Sequence, residues 1–402
     1  MPDSIRIEAQ PFTPSPLPGA APLRVLFAAG GTGGHIYPAI ALAQTLRQAH
    51  PDAEILFVGG DRAEARKAPE AGFAFQSISV HGLAGKWTAA GMLKRLRAVG
   101  EVVSGLPLWQ SLAAIRRFRP QVVVGTSGYV CGPVMLASWL SRLPVILLEQ
   151  NEEIGKTSKL VSRFIKVAVV ISAESGVYFR RQGIRTEVIG NPVRPAILSA
   201  TREAGITTLA LEHDRLTLSI IGGSLGSTPI NAAASTALRT LAHEHWFRDG
   251  WQVVHLLGPG RTGGLPPEDA RSLGIAYSAY PYMDNIQDLL AASDVIISRA
   301  GGTFLAEIAA RGVPLILIPW SGAASDHQAH NARPFAESGA AVVLTDAQLS
   351  ADTLLAALHD ILPDTARRAG MAAACRRLGR PESAAALVKL IEELAPLAIE
   401  KR

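Results

Sequence analysis

The 402-residue sequence predicts an α/β protein made of two Rossmann-like domains whose parallel sheets face a cleft. Three observations support this prediction. Short apolar segments alternate with longer amphipathic segments, as repeated βαβ units require. Each half of the chain opens with an apolar segment and a glycine-rich turn, at Gly30–Gly34 and Gly222–Gly226. A segment punctuated by prolines, Gly190–Pro195, separates the halves and is the predicted hinge.

Apolar segments of strand length occur in both halves of the chain and have the composition of doubly covered parallel strands. In the first half they are Leu23–Ala28, Glu54–Val58, Ala74–Ser79, Val122–Gly125, Val145–Leu148, Val167–Ile171 and Glu187–Ile189. In the second half they are Leu216–Ile221, Gln252–Leu257, Ile275–Ser278, Val295–Ser298, Leu315–Ile318 and Ala341–Leu344. The ligands of such sheets lie beyond the carboxyl ends of the strands, so we expect both glycine turns to line one cleft.

The predicted domains follow from this alternation. Residues 23–194 form an N-terminal domain, residues 195–380 form a C-terminal domain, and residues 381–402 form a helix that returns to the N-terminal domain. The proline-rich and polar stretch Met1–Pro22 lacks the basic start and apolar core of a signal peptide. We therefore expect a disordered leader.

Composition excludes several classes of protein. The hydrophobic content of 48% is high, but the sequence contains no uninterrupted apolar run of about 18 residues, so we expect no transmembrane helix. The net charge of +5 favours anionic partners only mildly, and no aromatic platform for nucleic acid accompanies it. The two cysteines, Cys131 and Cys375, provide neither a disulfide framework nor a set of metal ligands, which fits a reducing cytoplasm.

The first glycine turn, Gly30-Gly31-Thr32-Gly33-Gly34-His35, lies between a predicted strand and a predicted helix. Its glycines let a ligand approach the backbone, and the free N–H groups of the helix N-terminus favour a phosphate or a developing oxyanion. His35 adds a group that titrates near neutral pH. The alternative is a turn that is merely tight. The absence of a following Lys-Ser/Thr pair argues against an ATPase.

Polar residues follow several other predicted strands. Asn151 and Gln328 have two open interpretations, helix capping or ligand binding. Glu307, about one turn into a predicted helix, is either a surface carboxylate or an acceptor for ribose hydroxyls. Asp326, His327 and His330 lack a further firm ligand, which disfavours a metal site. We expect His255 to pack rather than to catalyse.

Together these motifs occur in the order and spacing of one family. They are Gly30–His35, Gly125–Tyr129, Glu149–Asn151, Gly190–Arg194, Gly222–Gly226, Arg299–Glu307 and His327–Ala332. On these motifs the chain resembles the MurG family of GT-B glycosyltransferases (glycosyltransferase family 28) from about Leu23 to Leu390. The resemblance implies inverting transfer of N-acetylglucosamine (GlcNAc) from UDP-GlcNAc to the C4 hydroxyl of undecaprenyl-diphospho-N-acetylmuramyl-pentapeptide (lipid I). The product is lipid II, a precursor of peptidoglycan.

The resemblance also implies roles for individual residues. Ser224 and its turn would hold the donor diphosphate, Glu307 the ribose, the backbone of Met283 the uracil, and Gln328, together with His327, the sugar hydroxyls. The residues Gly302, Thr303, Phe304, Leu305 and Ala306 would line the turn beside the ribose. The donor site would be completed from the first-domain side by Thr32, Gly33, Gly34, Asn151 and Arg194.

His35 and Tyr129 would face the acceptor, and His35 is the candidate base for its hydroxyl. Helix N-termini and Arg194 would stabilise the leaving diphosphate, so we expect no metal and no other cofactor. The sequence departs from the family pattern in having Leu148 before Glu-Gln-Asn and Leu256 after His255, where the family usually has His and Gln. These departures affect the expected contacts around Asn151.

A lipid-linked acceptor requires contact with the bilayer. The segment His81–Arg97 combines apolar and basic residues, and the predicted membrane patch within it is Trp87, Leu93, Lys94, Arg95 and Arg97. An amphipathic helix packed on its own sheet is the alternative. The implied location is the cytoplasmic face of the cell membrane, with anionic phospholipids and other cell-wall enzymes as partners and no nucleic acid.

Three other functions remain open at the level of sequence: a GT-B enzyme acting on a different glycolipid, a UDP-sugar epimerase of similar fold, and a non-catalytic protein that binds nucleotide sugars. The Thr-Gly-Gly-His turn and the Gly-Asn-Pro-Val-Arg segment disfavour the first. Intact Glu307, Gln328 and His35 disfavour the last.

Overall fold

The computed structural model describes residues 22–30, 33–80, 105–247 and 250–399. The chain forms two compact units. Unit 1 comprises the described residues within Met1–Gln150, Ile154–Ile189 and Ala384–Arg402, and unit 2 comprises Asn151–Glu153 and Gly190–Ser383. Most of the predicted leader, Thr32 and the whole predicted membrane patch (Trp87, Leu93, Lys94, Arg95, Arg97) lie outside the described residues.

Unit 1 is a parallel sheet of seven strands with the order β3-β2-β1-β4-β5-β6-β7. Its strands are β1 (Arg24–Ala28), β2 (Glu54–Gly59), β3 (Ala74–Ser77), β4 (Val122–Gly125), β5 (Val145–Leu148), β6 (Val167–Val170) and β7 (Arg185–Val188). The first helices of the chain are α1 (Gly33–Ala49), α2 (Ala63–Glu70), α3 (Leu106–Phe118), α4 (Cys131–Leu140), α5 (Lys156–Val161) and α6 (Val177–Arg181). A short 3₁₀ helix, Ser162–Phe164, follows α5.

Unit 2 is a parallel sheet of six strands with the order β10-β9-β8-β11-β12-β13. Its strands are β8 (Leu216–Ile221), β9 (Trp251–Leu256), β10 (Tyr277–Tyr280), β11 (Val295–Ser298), β12 (Leu315–Leu317) and β13 (Ala341–Val343). Its helices are α7 (Pro195–Ser199), α8 (Arg202–Thr208), α9 (Thr228–His243), α10 (Pro267–Ser272), α11 (Ile286–Ala292), α12 (Gly302–Arg311), α13 (His327–Glu337), α14 (Ala351–Ile361) and α15 (Thr365–Leu378). A 3₁₀ turn, Ala324–Asp326, precedes α13. The last helix of the chain, α16 (Ser383–Ile399), belongs almost entirely to unit 1.

Alternating side chains of each central strand pack on opposite faces of its sheet. In β1, Val25 and Phe27 pack on α1, α2 and α16, whereas Leu26 and Ala28 pack on α3 and α4. The apolar side of α16, including Leu387 and Ile391, is therefore part of the core of unit 1. The sheet of unit 2 is also covered by helices on both faces, as the two clusters on either side of β8 and β11 show. Burial on both faces accounts for the high hydrophobic content.

The strand orders place both glycine turns at equivalent points. In each sheet the first strand of the unit lies between the second and fourth strands, so the direction of the strand order reverses there. Ligands of doubly wound sheets bind at this switch point, outside the carboxyl ends of the strands. Gly30 follows β1 and Gly222 follows β8, so each turn begins at the switch point of its own sheet.

The predicted fold class, two parallel-sheet α/β domains, is confirmed, and every predicted strand exists. Three strands are displaced along the chain, and one of them, β9, is displaced by a single residue. The segment predicted as Ile275–Ser278 forms β10 two residues later, because Ile275 is buried in the turn after α10, where its N–H donates to Ala270. The predicted strand Glu187–Ile189 begins earlier, at Arg185, because β7 is an edge strand with polar residues.

Candidate active site

The first set of predicted site residues surrounds the turn after β1 in unit 1. His35 lies in the first turn of α1, a helix with no acidic residue in its first turn. Its imidazole Nδ1 lies 3.1 Å from Oε1 of Gln150, which follows β5 and is buried. The Gln150 amide nitrogen donates to the carbonyl oxygen of Leu148 at 2.9 Å. The fold therefore brings together His35 and a residue 115 positions further along the chain.

The turn after β4 lies against this histidine. Ser127 and Gly128 have positive φ angles of 61° and 80°, a conformation that suits glycine and strains serine. A Cβ atom on Gly128 would lie 3.3 Å from Cδ2 of His35 and 3.0 Å from the carbonyl oxygen of Gly30. Glycine is therefore required for the close approach of this turn to the imidazole. The Ser127 hydroxyl donates to the carbonyl oxygen of Leu148 at 3.0 Å, which ties the ends of β4 and β5 together.

Tyr129 lies next to a buried carboxylate that the sequence analysis did not single out. Glu64 of α2 is fully buried, and its Oε1 accepts a hydrogen bond from the backbone N–H of Gly60 at 3.1 Å. Burial, and secondarily the Glu64 carboxylate, raises the pKa of the Tyr129 phenol. Among the described residues the Tyr129 hydroxyl has no hydrogen-bond partner. Tyr129 is therefore a neutral hydroxyl near the turn.

Cys131, at the start of α4, is not a nucleophile. Its thiol is buried and lies 2.8 Å from the carbonyl oxygen of Ser127, to which it donates. Burial raises its pKa to about 12, so the thiolate is absent at neutral pH.

The second set of predicted residues surrounds the turn after β8 in unit 2. Gly223 and Gly226 have φ angles of 90° and 67°, and a Cβ atom on Gly226 would lie 2.1 Å from the carbonyl oxygen of Leu257. Ser224 is exposed at the tip of this turn. The turn leads into α9, whose N-cap residue, Ser227, makes no side-chain capping bond. Helix N–H groups at such an end attract an anion.

Arg299 contacts the end of this turn and fixes its position. Its guanidinium donates to the Ser227 hydroxyl at 2.9 Å, to the carbonyl oxygen of Ile318 at 3.0 Å, and to the Asp346 carboxylate. Asp346 also accepts bonds from the backbone N–H and hydroxyl of Ser321, each at 2.8 Å. Burial raises the pKa of Asp346, but the bonds from Arg299 and Ser321 outweigh it and lower the pKa overall. Arg299 therefore has a positioning role that the sequence analysis did not assign.

Two residues that the sequence analysis treated separately form one ion pair. Arg194 Nε donates to Glu307 Oε1 at 2.6 Å, and its Nη2 donates to Oε2 at 2.8 Å. The Glu307 side chain is only 3% exposed. A carboxylate has about four lone-pair sites, so this bidentate contact leaves acceptor capacity for hydroxyl groups. Arg194 thus neutralises and orients the carboxylate predicted to bind ribose.

Gln328 and Asn151 are both fixed by neighbouring polar groups. The Gln328 Oε1 accepts bonds from the backbone N–H groups of Ala300 at 3.1 Å and Trp320 at 3.0 Å, which orients its amide nitrogen away from them. Asn151 Oδ1 accepts a bond from Asn331 at 3.0 Å, and Asn331 Oδ1 accepts the backbone N–H of Glu152 at 2.9 Å. Asn331, which is buried, is a residue that the predicted site lacked.

The remaining predicted residues have ordinary structural surroundings. Gly302, Thr303, Phe304, Leu305 and Ala306 form the first turns of α12, which has no acidic residue in its first turn. Met283 is buried and belongs to the same hydrophobic cluster of unit 2 as Leu256 and Leu305. Gly33 and Gly34 open α1 in unit 1. The predicted residues that the structure describes thus divide between the two units, and Asn151 and Arg194, expected on the first-domain side, belong to unit 2.

His255 is buried and fully bonded, which fits the predicted packing role. Its Nε2 lies 3.1 Å from Asn231 Oδ1, and its Nδ1 lies 2.9 Å from the Tyr277 hydroxyl. The Asn231 amide nitrogen donates to the carbonyl oxygens of Leu257 and Thr262, both at 3.0 Å. Burial lowers the pKa of His255 to about 4. This network fixes the loop after β9 with a neutral imidazole.

Comparison with known proteins identifies the family to which this chain belongs. The sequence profile of the glycosyltransferase family 28 N-terminal domain matches residues 25–170, and that of its C-terminal domain matches residues 217–389. The chain belongs to glycosyltransferase family 28. The described part of this family 28 chain contains no helix with the length and apolar character of a membrane span.

Curated relatives resemble this family 28 chain over nearly its full length. A UDP-N-acetylglucosamine--N-acetylmuramyl-(pentapeptide) pyrophosphoryl-undecaprenol N-acetylglucosamine transferase of Desulforamulus reducens is 36% identical, covering 93% of this chain and 99% of the relative. The protein of the same name from Moorella thermoacetica is 39% identical, covering 92% and 98%.

Solved structures support the fold. The crystal structure of Acinetobacter baumannii MurG matches with a TM-score of 0.68 at 24% identity, covering 92% of this chain and all of that one. A UDP-GlcNAc 2-epimerase of Neisseria meningitidis matches with a TM-score of 0.64 at 12% identity, covering 93% of this chain. Since transferases and epimerases share this fold, the fold alone does not separate them.

Proposed function

We propose that this glycosyltransferase transfers GlcNAc from UDP-GlcNAc to the C4 hydroxyl of the muramyl sugar of lipid I, forming lipid II with inversion at the sugar carbon. The observation that carries this proposal is the similarity of nearly the whole chain to transferases whose names specify the donor sugar and the lipid-linked acceptor. Two sites with different chemistry, one in each unit, are what such a two-substrate reaction needs.

The donor would bind to unit 2. Glu307, oriented by Arg194, would accept hydrogen bonds from the ribose hydroxyls with its remaining lone pairs. The diphosphate would lie against the Gly222–Gly226 turn, Ser224 and the N-terminus of α9, where backbone N–H groups stabilise negative charge. The amide nitrogen of Gln328 would donate to the sugar, since its oxygen is held by two backbone N–H groups.

The acceptor would bind to unit 1, with His35 as the base. In the proposed step the C4 hydroxyl of the acceptor attacks C1 of GlcNAc. The bond between C1 and the diphosphate oxygen breaks, its electron pair goes to UDP, and the hydroxyl proton goes to His35. A histidine is suited to this because its ordinary pKa is close to neutral. Tyr129, a neutral phenol whose hydroxyl is buried, would lie on the acceptor side of the site.

We further propose that the reaction needs no metal. The N-terminus of α9 favours negative charge at the turn after β8, and Arg299 fixes the N-cap residue Ser227 there. The direct test is turnover by purified protein in excess EDTA, which should equal turnover in buffer. A loss of activity that added Mg²⁺ restores would overturn this part of the proposal.

Because the proposed acceptor is lipid-linked, we propose that the protein attaches peripherally to the cytoplasmic surface of the cell membrane through unit 1. Large apolar side chains are exposed on its neighbouring helices: Trp109 of α3 (64%), Trp139 of α4 (52%) and Leu160 of α5 (65%). Lys159 and Arg163 lie beside Leu160 in sequence. Exposed apolar side chains next to cations favour the interface of an anionic bilayer.

One incubation separates the candidate functions. Purified protein is mixed with radiolabelled UDP-GlcNAc and lipid I in detergent, and the products are resolved by chromatography. Label in the lipid fraction, dependent on lipid I, supports the proposal. Label in free sugar or in an epimerised nucleotide sugar without lipid product, or binding without any product, would contradict it in favour of the epimerase or the binding protein.

A further inference from the structure

The residues around His35 determine which of its two ring nitrogens carries the hydrogen. An imidazole accepts a proton only through the nitrogen that carries no hydrogen, so the tautomer decides which edge of the ring can act. In this chain the partner of one ring nitrogen is known, because Nδ1 of His35 lies 3.1 Å from Oε1 of Gln150.

The orientation of the Gln150 amide follows from its second contact. Its Nε2 donates to the carbonyl oxygen of Leu148 at 2.9 Å, and only the –NH₂ end of an amide can make that bond. The end that faces His35 is therefore the carbonyl oxygen, which accepts and cannot donate. It follows that Nδ1 of a neutral His35 carries the hydrogen and Nε2 carries the lone pair.

Gln150 is well placed to impose this choice. It is buried, and it lies two residues after the end of β5, an interior strand of the sheet. The carbonyl oxygen of Leu148, to which it donates, also accepts the Ser127 hydroxyl at 3.0 Å, and the N–H of Glu149 donates to Val169 at 2.9 Å. These bonds hold the strand end, and so the amide, in one arrangement.

Backbone of the turn after β4 lies near one side of the opposite edge of the imidazole. A Cβ atom on Gly128 would lie 3.3 Å from Cδ2 and 3.6 Å from Nε2 of His35, so the glycine at φ 80° approaches the edge that carries the lone pair. Gln150 therefore contacts the ring at Nδ1, and the small size of Gly128 leaves room beside Cδ2 and Nε2.

We propose that Gln150 is a positioning residue that fixes His35 as the Nδ1–H tautomer, so that Nε2 takes the proton of the attacking hydroxyl. The inference rests on the proposed function and deepens it, since the proposed function names the base but not the group that sets its tautomer. The class of proton donor is a sugar hydroxyl.

Among the described residues, the ionisable groups on the surrounding elements are Asp61, Arg62 and Glu64 at the start of α2, Tyr129 after β4, Cys131 of α4 and Glu149 beside Gln150. Tyr129 has a raised pKa and Cys131 a pKa of about 12, so both stay neutral between pH 5 and 9. Glu149 accepts bonds from Ser127 at 3.5 Å and from the N–H of Gly155 at 3.3 Å. A change of Gln150 to Glu therefore adds one new charge at Nδ1 itself.

Two variants and one control test the proposal kinetically. Gln150→Glu keeps an acceptor at Nδ1 and adds a carboxylate, which stabilises imidazolium, so the acid limb of the pH profile of kcat should move up by about one pH unit. Gln150→Leu removes the acceptor and should lower kcat about tenfold or more, with little change in the KM for UDP-GlcNAc. Gln121→Glu is the matched control, because Gln121 accepts the backbone N–H of Arg24 at 2.7 Å at the amino end of β4, away from the turn.

A second measurement needs no substrate. Long-range ¹H–¹⁵N correlation spectra of the histidine-labelled full chain report the tautomer of each imidazole, and the His35 signals are assigned as those missing from His35→Gln. The Nδ1–H form should dominate in the wild-type protein, and the Nε2–H form should increase in Gln150→Leu. Melting temperatures of all variants identify any that are unfolded.

The outcomes separate this inference from the function on which it rests. An active wild-type enzyme whose His35 carries Nε2–H, or acid limbs that coincide in Gln150→Glu and Gln121→Glu, would overturn the inference and leave the proposed function intact. A protein without transfer activity whose His35 carries Nδ1–H would overturn the function while the assignment of the tautomer stands.

Discussion

The two glycine turns occupy equivalent positions but carry different chemistry. Each follows the strand at which the order of its sheet reverses, and each leads into a helix whose first turn has no acidic residue. The turn after β1 is accompanied by His35 and its acceptor Gln150, a pair suited to moving a proton. The turn after β8 is accompanied by Arg299, and the same unit contains the Arg194–Glu307 pair; these groups are suited to holding a charged nucleotide.

Under the proposed function, the two units of one architecture divide a two-substrate reaction between them. The fold determines where a ligand can lie, because the switch point exposes backbone N–H groups in both units. The side chains that reach that point from distant parts of the sequence determine what happens there. Changes in unit 1 should therefore affect proton transfer, and changes in unit 2 should affect binding of the donor.

The largest expected effect is on turnover. His35→Ala removes the proposed base and should lower kcat by about 10²–10⁴-fold, while the KM for UDP-GlcNAc changes little because the donor binds to unit 2. Steady-state kinetics with lipid I measure both. His213→Ala, an exposed histidine paired with Glu203, is the control and should retain wild-type kinetics. Near-normal turnover of His35→Ala would remove His35 from the chemistry.

The next effect is on unit 2. Arg194→Met leaves the buried Glu307 carboxylate without its cation, which should cost about 3 kcal/mol of stability and weaken UDP binding by about tenfold or more. Chemical denaturation and titration calorimetry with UDP measure the two losses. The double variant Arg194→Met/Glu307→Gln should recover part of the stability because the buried charge is gone. If the double variant is less stable than Arg194→Met alone, this electrostatic explanation is wrong.

A third effect is the response of unit 2 to acid. The pKa of His255 is about 4 in the folded protein, below its ordinary value of 6.5, so the unfolded chain binds this proton more readily. The stability that the neutral imidazole provides is complete above about pH 6.5 and should fall by about 3 kcal/mol as the pH drops to about 4.

Hydrogen exchange measured by mass spectrometry checks this effect locally. Peptides around β9 and α9 should lose protection between pH 6.5 and 4, after correction for the intrinsic exchange rate, and His255→Gln should flatten that loss. Equal pH dependence of these peptides in both proteins would contradict the assignment to His255.

The smallest effect is on membrane binding. Trp139→Ser and Leu160→Ser in unit 1 should each weaken sedimentation with anionic vesicles by about tenfold, since burial of such a side chain is worth about 1.5–3 kcal/mol. Trp320→Ser in unit 2 removes a tryptophan of similar exposure and is the matched control. Equal losses in all three variants would show that the attachment is not specific to unit 1.

The sequence predicted the sheets better than the site. The apolar, β-branched segments Val122–Gly125 and Val145–Leu148 were placed at their observed bounds because fully buried parallel strands leave a continuous apolar pattern. The pattern was less accurate where a residue is buried without being part of a strand, as at Ile275. It was also less accurate where an edge strand is polar, as at Arg185.

The site was only partly predictable for a similar reason. Glycine turns are local signals, and those at Gly30 and Gly222 could be recognised directly. Contacts between distant residues leave no local signal: Arg194 pairs with Glu307 across 113 positions, and His35 meets Gln150 across 115. Gln150 lay inside a motif that the sequence analysis quoted, but its contact with the imidazole required the fold. The roles assigned to the individual site residues stay predictions.

The most direct test of the division between the two units is single-turnover transfer measured by rapid quench at increasing UDP-GlcNAc. If the account is right, Arg194→Met regains most of the wild-type rate when the donor is saturating, whereas His35→Ala stays slow at every donor concentration and binds UDP normally. The account is contradicted if His35→Ala regains its rate at high donor, or if Arg194→Met remains slow when saturated.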